Sequence, residues 1–223
     1  MKAAWFVTGT DTGVGKTLVA AALLAASVRQ GWRAVGMKPV AAGGEPVPGG
    51  LRFGDVETLI EAGNVAAPRD WVNPYAFAEP IAPHIAARHA GVKLDLAHMA
   101  RCFRQLAALA DVVVVEGAGG FLVPLDEETT LADLALRLEL PVVLVVGMRL
   151  GCLNHALLTV EAIVRRGLVL AGWVANRIDR EMAAFPENLA TLKQRIPAPL
   201  LGVIPFFPQA PDFATLPLRL PSL

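Results

Sequence analysis

A glycine-rich segment near the start of the chain constrains its fold more than any other feature. The segment is Gly-Thr-Asp-Thr-Gly-Val-Gly-Lys-Thr over residues 9–17, between an apolar run at 3–7 and a run of small and apolar residues at 18–27. That order predicts a strand, a glycine loop and a helix. Such a loop points successive backbone N–H groups at one spot, where the dipole of the following helix adds positive potential. The segment therefore predicts a phosphate-binding loop.

Two side chains at the end of this segment carry the expected chemistry. Lys16 supplies a point charge for the outer phosphates of a nucleotide, and the Thr17 hydroxyl can bind Mg²⁺. The strict motif has glycine where this chain has Thr10, and the nearest glycine is Gly9. The strand before the loop and the helix after it nevertheless favour phosphate binding over a plain turn. The candidate nucleotide-binding residues of the loop are Asp11, Thr12, Gly13, Val14, Gly15, Lys16 and Thr17.

The rest of the chain alternates short apolar strands with helical stretches, as a parallel sheet covered on both faces requires. We predict strands over 3–8, 33–38, 112–116, 142–147, 169–175 and 200–204, and helices over 16–30, 55–62, 95–110, 153–166 and 186–195. We expect a mobile loop at 42–53 and an irregular tail at 211–223. The fold class is α/β, a parallel sheet with helices on both faces, in a single domain over residues 1–223.

Composition excludes several classes of partner. The chain has 20 basic and 20 acidic residues, so no net charge favours nucleic acid. Its longest apolar runs, such as 141–146, are too short to span a bilayer, and no membrane is expected as a partner. The chain enters the glycine loop directly after Met1 and Lys2, so we expect no signal peptide. Cys102 and Cys152 fit reduced thiols of a cytoplasmic protein, although a disulfide stays open.

Three charged residues are candidates for the ligand side of the sheet. Glu116 follows four consecutive valines, and ligands collect beyond the carboxyl ends of parallel strands. A carboxylate there can hold Mg²⁺ or cap a turn, and the adjacent phosphate loop favours the metal. Lys38, before Pro39, could aim a cation at a phosphoryl group, although a solvated strand-end lysine is the simpler interpretation. Asp55 could be a metal ligand or a helix N-cap, and spacing does not decide.

Two further segments could line a ligand site. Residues 73–84 contain three prolines and two aromatic residues, which makes a stiff loop that suits either a substrate wall or simple packing. Asn176 closes a predicted strand, and its amide could recognise adenine or start a turn. The four histidines lack metal-ligand spacing.

Together these segments resemble dethiobiotin synthetases. The phosphate loop alone specifies only the wider class of P-loop NTPases, but the proline-aromatic loop and the segment at 147–155 narrow the resemblance to this family. The matching segments are Gly-Thr-Asp-Thr-x-Val-Gly-Lys-Thr at 9–17, Lys-Pro-Val at 38–40, Asn-Pro-Tyr-Ala-Phe at 73–77, Glu-Pro-x-x-Pro-His at 79–84, Glu-Gly-Ala-Gly-Gly at 116–120, Gly-x-x-Leu-Gly-Cys-x-Asn-His at 147–155, and Asn176.

The resemblance implies a reaction of 7,8-diaminononanoate, CO₂ and ATP with Mg²⁺, in which a substrate carbamate is phosphorylated and the ring then closes. It implies a homodimer in which part of the site comes from the second subunit. By matching position, the implied roles are catalytic for Lys16 and Lys38, metal-binding for Thr17, Asp55 and Glu116, substrate-binding for Thr12, Lys38, Gly119, Leu150 and Asn154, and nucleotide-binding for Asn176 and Pro205.

This chain departs from many relatives at two positions, with Gly13 in place of glutamate and Ala42 in place of serine. We expect only a backbone role for Gly13 and assign no chemistry to Ala42.

Three other interpretations compete with the resemblance. An ATPase switch of the partitioning or division-site class would have lysine where this chain has Asp11. An amidotransferase-type synthetase would need a glutaminase domain, and a non-catalytic nucleotide module would not need both lysines and all three candidate metal ligands.

Overall fold

A parallel sheet with helices on both faces forms the body of the protein, in a computed structural model that describes residues 1–209 and 211–222. The strands are β1 (Ala3–Gly9), β2 (Ala34–Met37), β3 (Val40–Ala42), β4 (Glu45–Val47), β5 (Gly50–Arg52), β6 (Tyr75–Phe77), β7 (Val112–Gly120), β8 (Val142–Met148), β9 (Leu170–Arg177) and β10 (Leu200–Ile204). The helices are α1 (Lys16–Arg29), α2 (Gly54–Ala62), α3 (Arg69–Val72), α4 (Pro83–His89), α5 (Leu96–Leu109), α6 (Leu131–Arg137), α7 (Cys152–Arg165) and α8 (Phe185–Arg195).

The main sheet has six strands in the order β10-β9-β8-β1-β7-β2, and every neighbouring pair is parallel. The carboxyl ends of all six strands therefore meet at one edge, where an open α/β sheet binds its ligands. β1 lies at the centre, between β7 and β8. The loop after β1 is consequently flanked by the loops that leave β7 and β8, and this order decides which residues can reach a phosphate bound there.

Residue alternation along the central strands builds two separate layers of core. In β7, Val112 and Val114 pack with α1 on one face, while Val113 and Val115 pack with α5 and α6 on the other. Consecutive strand residues point to opposite faces, so a continuous run of valines buries both. In α5, Phe103 is among the helix residues that face this core, as the helical spacing of its apolar residues predicts.

The six predicted strands and five predicted helices are confirmed, with ends that differ by no more than a few residues. The shorter elements were not predicted from the sequence; they are β3 to β6, α3, α4 and α6. Each has seven residues or fewer, so hydrophobic periodicity has too little length in which to show itself. No described helix combines the length and the apolar composition needed to cross a membrane.

The segment predicted as a mobile loop at 42–53 contains a hairpin instead. β4 and β5 pair antiparallel around Pro48 and Gly49, and Gly49 has a φ of 91°. Proline followed by a glycine with positive φ is the requirement of a type II turn, which closes the hairpin. The hairpin is exposed throughout, and it connects β3 to α2 beside the ligand edge.

The predicted irregular tail is irregular but packed. Within it, Phe213–Thr215 form a short 3₁₀ helix, and Leu216 and Leu218 are buried against the core that contains α1. Arg29 at the end of α1 donates a hydrogen bond of 2.6 Å to the carbonyl of Ala214. Apolar side chains thus hold this segment in place although only three of its described residues form a helix. Residue 223, the end of the predicted tail, lies outside the described residues.

Candidate active site

The phosphate loop joins β1 to α1 and takes its shape from glycines with positive φ. Gly13 has a φ of 73° and Gly15, at the N-terminus of α1, a φ of 93°. Side chains with a β-carbon disfavour this region, so glycine lets the backbone turn its N–H groups inward. Val14, between them, is only 1% exposed. The Val14 side chain is therefore part of the core, and only its backbone faces the loop.

Neighbouring strands hold the loop at three points. Thr10 N donates to the carbonyl of Val145 in β8 at 3.0 Å, and Asn176 Nδ2 at the end of β9 donates to the carbonyl of Val14 at 2.8 Å. Arg149, just after β8, pairs with Asp11 at 2.6 Å from Nη2 to Oδ2. These contacts make the loop part of the sheet edge rather than a free turn.

A cluster of two lysines, two carboxylates and a hydroxyl lies beside the loop. Lys38 Nζ is 2.7 Å from Glu116 Oε1 and 2.8 Å from Asp55 Oδ2. Thr17 Oγ1 donates to the same Glu116 oxygen at 2.8 Å. Lys16 Nζ donates to the carbonyl of Asp11 at 2.8 Å. The structure therefore brings together the five residues to which the resemblance assigned phosphoryl and metal chemistry.

Local structure positions Lys38 and Asp55. Asn73 Nδ2 donates to the carbonyl of Lys38 at 2.7 Å and to that of Tyr75 at 3.0 Å, which ties the end of β2 to β6. The Asn-Pro-Tyr segment thus supports the lysine. Asp55 lies in the first turn of α2, whose N-cap residue is Phe53, so Asp55 is not the N-cap. Its other oxygen, Oδ1, accepts from the backbone N–H of Val56 at 2.9 Å.

The pKa values of Lys16 and Lys38 are shifted in opposite directions. Burial lowers the pKa of Lys16 from 10.5 to about 8, and repulsion from Lys38 adds to this shift. Burial also acts to lower the pKa of Lys38, but attraction to Glu116 and Asp55 outweighs it and raises that pKa above 10.5. Lys38 therefore stays charged at neutral pH, and Lys16, with a pKa of about 8, is mostly charged there. Strongly shifted pKa values in one pocket are typical of functional sites.

The residues around Glu116 fit a magnesium ion. Glu116 is 1% exposed, and its second oxygen, Oε2, is buried without a hydrogen-bond partner. A buried carboxylate oxygen without a partner is costly, and a hard cation would satisfy it. No group of three or more His, Cys, Asp or Glu side chains suited to a metal occurs among the described residues. The donor set here is instead two carboxylates and a hydroxyl, to which Mg²⁺ commonly adds water and phosphate oxygens.

A cavity of about 690 Å³ opens from this cluster. Part of its lining is polar, and the apolar part, here called the apolar wall, includes Val40, Ile81 and Val123. Pro80 and Pro83 extend this wall, so the proline-rich loop does border the pocket. The predicted site residues that line the cavity are Thr12, Gly13, Gly15, Lys16, Thr17, Lys38, Asp55, Glu116 and Gly119, and Ala42 lies among them.

Another cavity, of about 260 Å³, lies at the carboxyl ends of β9 and β10. Asn176 and Pro205 both border it, together with Phe206 and Phe207. Asn176 and Gln209 contribute amide groups and the two phenylalanines contribute apolar surface, a combination that suits a planar base. The two residues predicted at the nucleotide, which lie at the carboxyl ends of β9 and β10, are therefore close to each other.

Two predicted substrate residues lie outside the lining of the main cavity. Leu150 is 95% exposed, and Asn154 is exposed on the first turn of α7. Arg149 was missed in the sequence, although it directly precedes the matched Leu-Gly-Cys segment. No sequence signal ties Arg149 to Asp11, which is 138 residues away. Cys102 and Cys152 are both buried free thiols, so they form no disulfide with each other.

Comparison with known proteins narrows the family. A family model described as an AAA domain matches residues 3–212. The ATP-dependent dethiobiotin synthetase of Aromatoleum aromaticum is 55% identical over 98% of this chain and 98% of its own length. That of Pseudomonas aeruginosa is 54% identical over 93% of this chain and 91% of its own.

The chain belongs to the dethiobiotin synthetase family. Members of the family are ATP-dependent ligases, and the chain is an enzyme of this kind.

Similarity to solved structures supports the fold of this chain and nothing further. The septum site-determining protein MinD of Pyrococcus horikoshii, solved with Mg-ADP, superposes with a TM-score of 0.58 at 16% identity, over 93% of this chain and 83% of that one. A ParA family ATPase from Chlorobium tepidum reaches 0.53 at 13% identity, over 93% and 86%.

These comparisons separate the family from its strongest rival. The partitioning and division-site ATPases share the P-loop fold with the dethiobiotin synthetases, which is why they superpose. Sequence identity of 13 to 16% supports a shared fold and no more, whereas identity of 55% over nearly the whole chain shows membership of the family. Asp11, where the rival class has lysine, agrees with that assignment.

Proposed function

We propose that this chain makes dethiobiotin by closing a cyclic urea on 7,8-diaminononanoate, with CO₂ as the carbon source and ATP as the energy source. The observation that carries the proposal is the presence of Lys16 and Lys38 in the lining of one pocket beside a phosphate loop. Phosphoryl transfer needs fixed cations where charge develops, and little covalent chemistry from the protein. The family membership supports the choice of product.

The proposed reaction has three steps. One amine of the diamine bonds to CO₂ and loses a proton, which leaves a carbamate. A carbamate oxygen attacks the γ-phosphorus of ATP, the bond to the β-phosphate oxygen breaks, and ADP leaves behind a carbamic–phosphoric anhydride. The second amine attacks the carbonyl carbon of the anhydride and loses a proton, and phosphate leaves as the five-membered urea ring closes.

Lys16 and Lys38 stabilise the transferring phosphoryl group in this proposal. Lys38 stays charged because Glu116 and Asp55 raise its pKa. Lys16 has a pKa of about 8, and anionic phosphate oxygens beside it would favour its ammonium form. Thr12 and Gly119 lie close to each other, since a β-carbon at Gly119 would be 3.4 Å from Thr12 Oγ1. They would contact the diamine or its carbamate, with the apolar wall beside the alkyl chain.

Thr17, Asp55 and Glu116 would hold Mg²⁺, and the unpartnered Glu116 Oε2 is the main support for this assignment. When bound, Mg²⁺ would neutralise charge on the β- and γ-phosphate oxygens. Thr17 would contribute its hydroxyl oxygen, which already lies 2.8 Å from Glu116 Oε1.

The proposal also assigns residues to the adenine end of ATP and to the carboxylate end of the diamine. Asn176 and Pro205 would border the adenine, and backbone atoms of residues 11–15 the phosphates. Leu150 and Asn154 would reach the carboxylate end of the diamine in a second subunit of a homodimer. The exposure of both residues is compatible with that role. We further propose that residues 1–223 act as one domain, in the cytoplasm, where the two free thiols stay reduced.

The deciding experiment measures phosphate release under four conditions in degassed buffer: ATP alone, ATP with 7,8-diaminononanoate, ATP with bicarbonate, and ATP with both. The phosphoryl acceptor exists only when diamine and CO₂ have combined, so phosphate should appear rapidly only in the complete mixture. A cyclic urea product should accumulate in step with it, seen by mass spectrometry.

Lys16→Ala should abolish this phosphate release, because it removes a charge from the place where negative charge is transferred. Lys193→Ala, which removes an exposed lysine on α8, is the matched control and should not change the rate. Equal phosphate release under all four conditions would contradict the proposal and would favour an ATPase switch.

A further inference from the structure

An ion pair joins the phosphate loop to the turn after β8. Arg149 Nη2 is 2.6 Å from Asp11 Oδ2, and the two side chains are 44% and 47% exposed. The carbonyl of Arg149 accepts a hydrogen bond from the N–H of Cys152 at 3.0 Å as α7 begins. The guanidinium therefore extends toward the loop from a hydrogen-bonded turn.

Asp11 places a carboxylate inside a loop that is shaped for anions. Its Oδ1 accepts from the backbone N–H of Thr12 at 2.7 Å, and its carbonyl accepts from Lys16 Nζ at 2.8 Å. Without a cation nearby, this carboxylate would repel a polyphosphate bound by the same loop. It would also attract the Lys16 ammonium away from the phosphates. Arg149 is the cation that the structure sets against Asp11.

Stability does not explain this pair. Exposed ion pairs contribute about 0 to 1 kcal/mol to folding, because solvent screens them and ordering two side chains costs entropy. The loop is already held by the backbone of Val145 and the side chain of Asn176. The pair has more effect on the local potential than on the fold, since a polyphosphate carries several negative charges close to Asp11.

We propose that Arg149 is a positioning residue for the nucleotide: it neutralises and orients Asp11, so that the loop and Lys16 can receive a polyphosphate. The inference rests on the proposed function, in that a nucleotide occupies this loop. It predicts that the need for Arg149 disappears when the Asp11 charge is removed. An arginine that contacted phosphate directly would still be needed in that case.

The test is a double-mutant cycle read by isothermal titration calorimetry with Mg·ADP, which is not turned over. Arg149→Met should raise the Kd by roughly fivefold at low salt. Asp11→Asn should bind at least as tightly as the unsubstituted chain, and the double variant should return to within about twofold of it. Raising the salt to about 0.5 M should shrink the difference between Arg149→Met and the unsubstituted chain, because salt screens exposed charges.

Two controls accompany the cycle. Arg165→Met breaks another exposed ion pair, to Glu161 at 2.6 Å on α7, and should leave the Kd unchanged. Arg149→Lys keeps the charge and should retain most of the affinity, which also keeps the test open if the methionine variant folds poorly. A double variant as weak as Arg149→Met, or no change in Arg149→Met, would overturn the inference alone. Failure of the unsubstituted chain to bind ADP would overturn the proposed function with it.

Discussion

Lys38 donates a 2.7 Å hydrogen bond from Nζ to Glu116 Oε1, although the two residues are 78 positions apart and only 4% and 1% exposed. The pair joins the residue that follows β2 to the middle of β7, and Asp55 and Thr17 complete its surroundings. Buried charges of this kind persist only when each has a partner. The proposed phosphoryl chemistry and the folding stability would therefore depend on the same atoms here. Lys16, 7% exposed, differs in that its acceptor within the described part of the chain is a backbone carbonyl.

The two lysines should affect stability in opposite directions. Lys38→Met leaves the buried Glu116 without its cation, so the free energy of unfolding should fall by about 3 kcal/mol. Lys16→Met removes a charge that burial disfavours, so the free energy of unfolding at pH 7 should rise, by at most about 3 kcal/mol for the shift in its pKa. Urea unfolding at pH 7 measures both. A loss of stability in Lys16→Met equal to that in Lys38→Met would contradict this expectation.

The pKa of Lys16 also predicts a pH dependence. The folded chain releases the Lys16 proton near pH 8, while the unfolded chain keeps it up to the ordinary value of 10.5. Between pH 8 and 10.5 the unfolded state therefore binds more protons than the folded state. In this range Lys16 makes the free energy of unfolding rise with pH. Lys38 has the opposite effect. Its stabilising contribution to the free energy of unfolding is complete below its pKa in the unfolded chain, and it is lost as the pH rises through its raised pKa in the folded chain. Between pH 7 and 9.5, urea unfolding should show a smaller rise, or a larger fall, in Lys16→Met than in the unsubstituted chain.

Variants of Asp55 and Glu116 should distinguish an effect on metal binding from an effect on folding. Asp55→Asn should lower turnover by roughly 100-fold and raise the Mg²⁺ concentration needed for half the maximal rate, with little change in melting temperature, because this side chain is 28% exposed. Glu116→Gln should lower turnover similarly but also lower the melting temperature, because Lys38 loses a buried partner. Glu57→Gln, two residues further along α2, is the matched control. Normal turnover of Asp55→Asn at low Mg²⁺ would rule out its metal role.

Two glycines of the loop should differ when each is changed to alanine. Both have positive φ, 73° at Gly13 and 93° at Gly15, so both variants carry a backbone strain of about 1 to 2 kcal/mol. A β-carbon at Gly13 would meet nothing within 4 Å, whereas one at Gly15 would collide with Nδ2 of Asn176. Gly15→Ala should therefore weaken ADP binding at least tenfold more than Gly13→Ala, measured by calorimetry. Equal Kd values for the two variants would show that Asn176 does not matter for the nucleotide.

A site shared between subunits should allow complementation. Asn154→Ala and Lys16→Ala chains are each expected to be inactive alone, because each lacks one side of every site. Mixed dimers contain one site with both residues intact, so mixing should restore part of the activity. Dethiobiotin formation measures it, with subunit exchange verified by mass spectrometry of differently tagged chains. A monomer by sedimentation, or no recovery after verified exchange, would contradict the shared site.

Local sequence was enough to predict the framework. The apolar runs around residues 3–8 and 112–116 became β1 and β7, and the glycines at 13 and 15 became the turn of the phosphate loop. These features depend on hydrophobic alternation and on backbone conformations that only nearby residues influence. The hairpin at 45–52 was missed, although Pro48 and Gly49 carry a local turn signal, because its exposed strands have no apolar pattern.

The tertiary structure alone decided which charges meet. Strand order places Lys38 against Glu116, with a hydrogen bond from Thr17 to the same oxygen, and the turn after β8 places Arg149 against Asp11. Such contacts depend on distance through space, and residues 78 to 138 positions apart leave no periodic trace of one another in the sequence. The sequence by itself determined that a phosphate loop stands at the carboxyl edge of a parallel sheet. The fold determined the charge balance around it, because electrostatic energy follows the separation of charges in space and not their order along the chain.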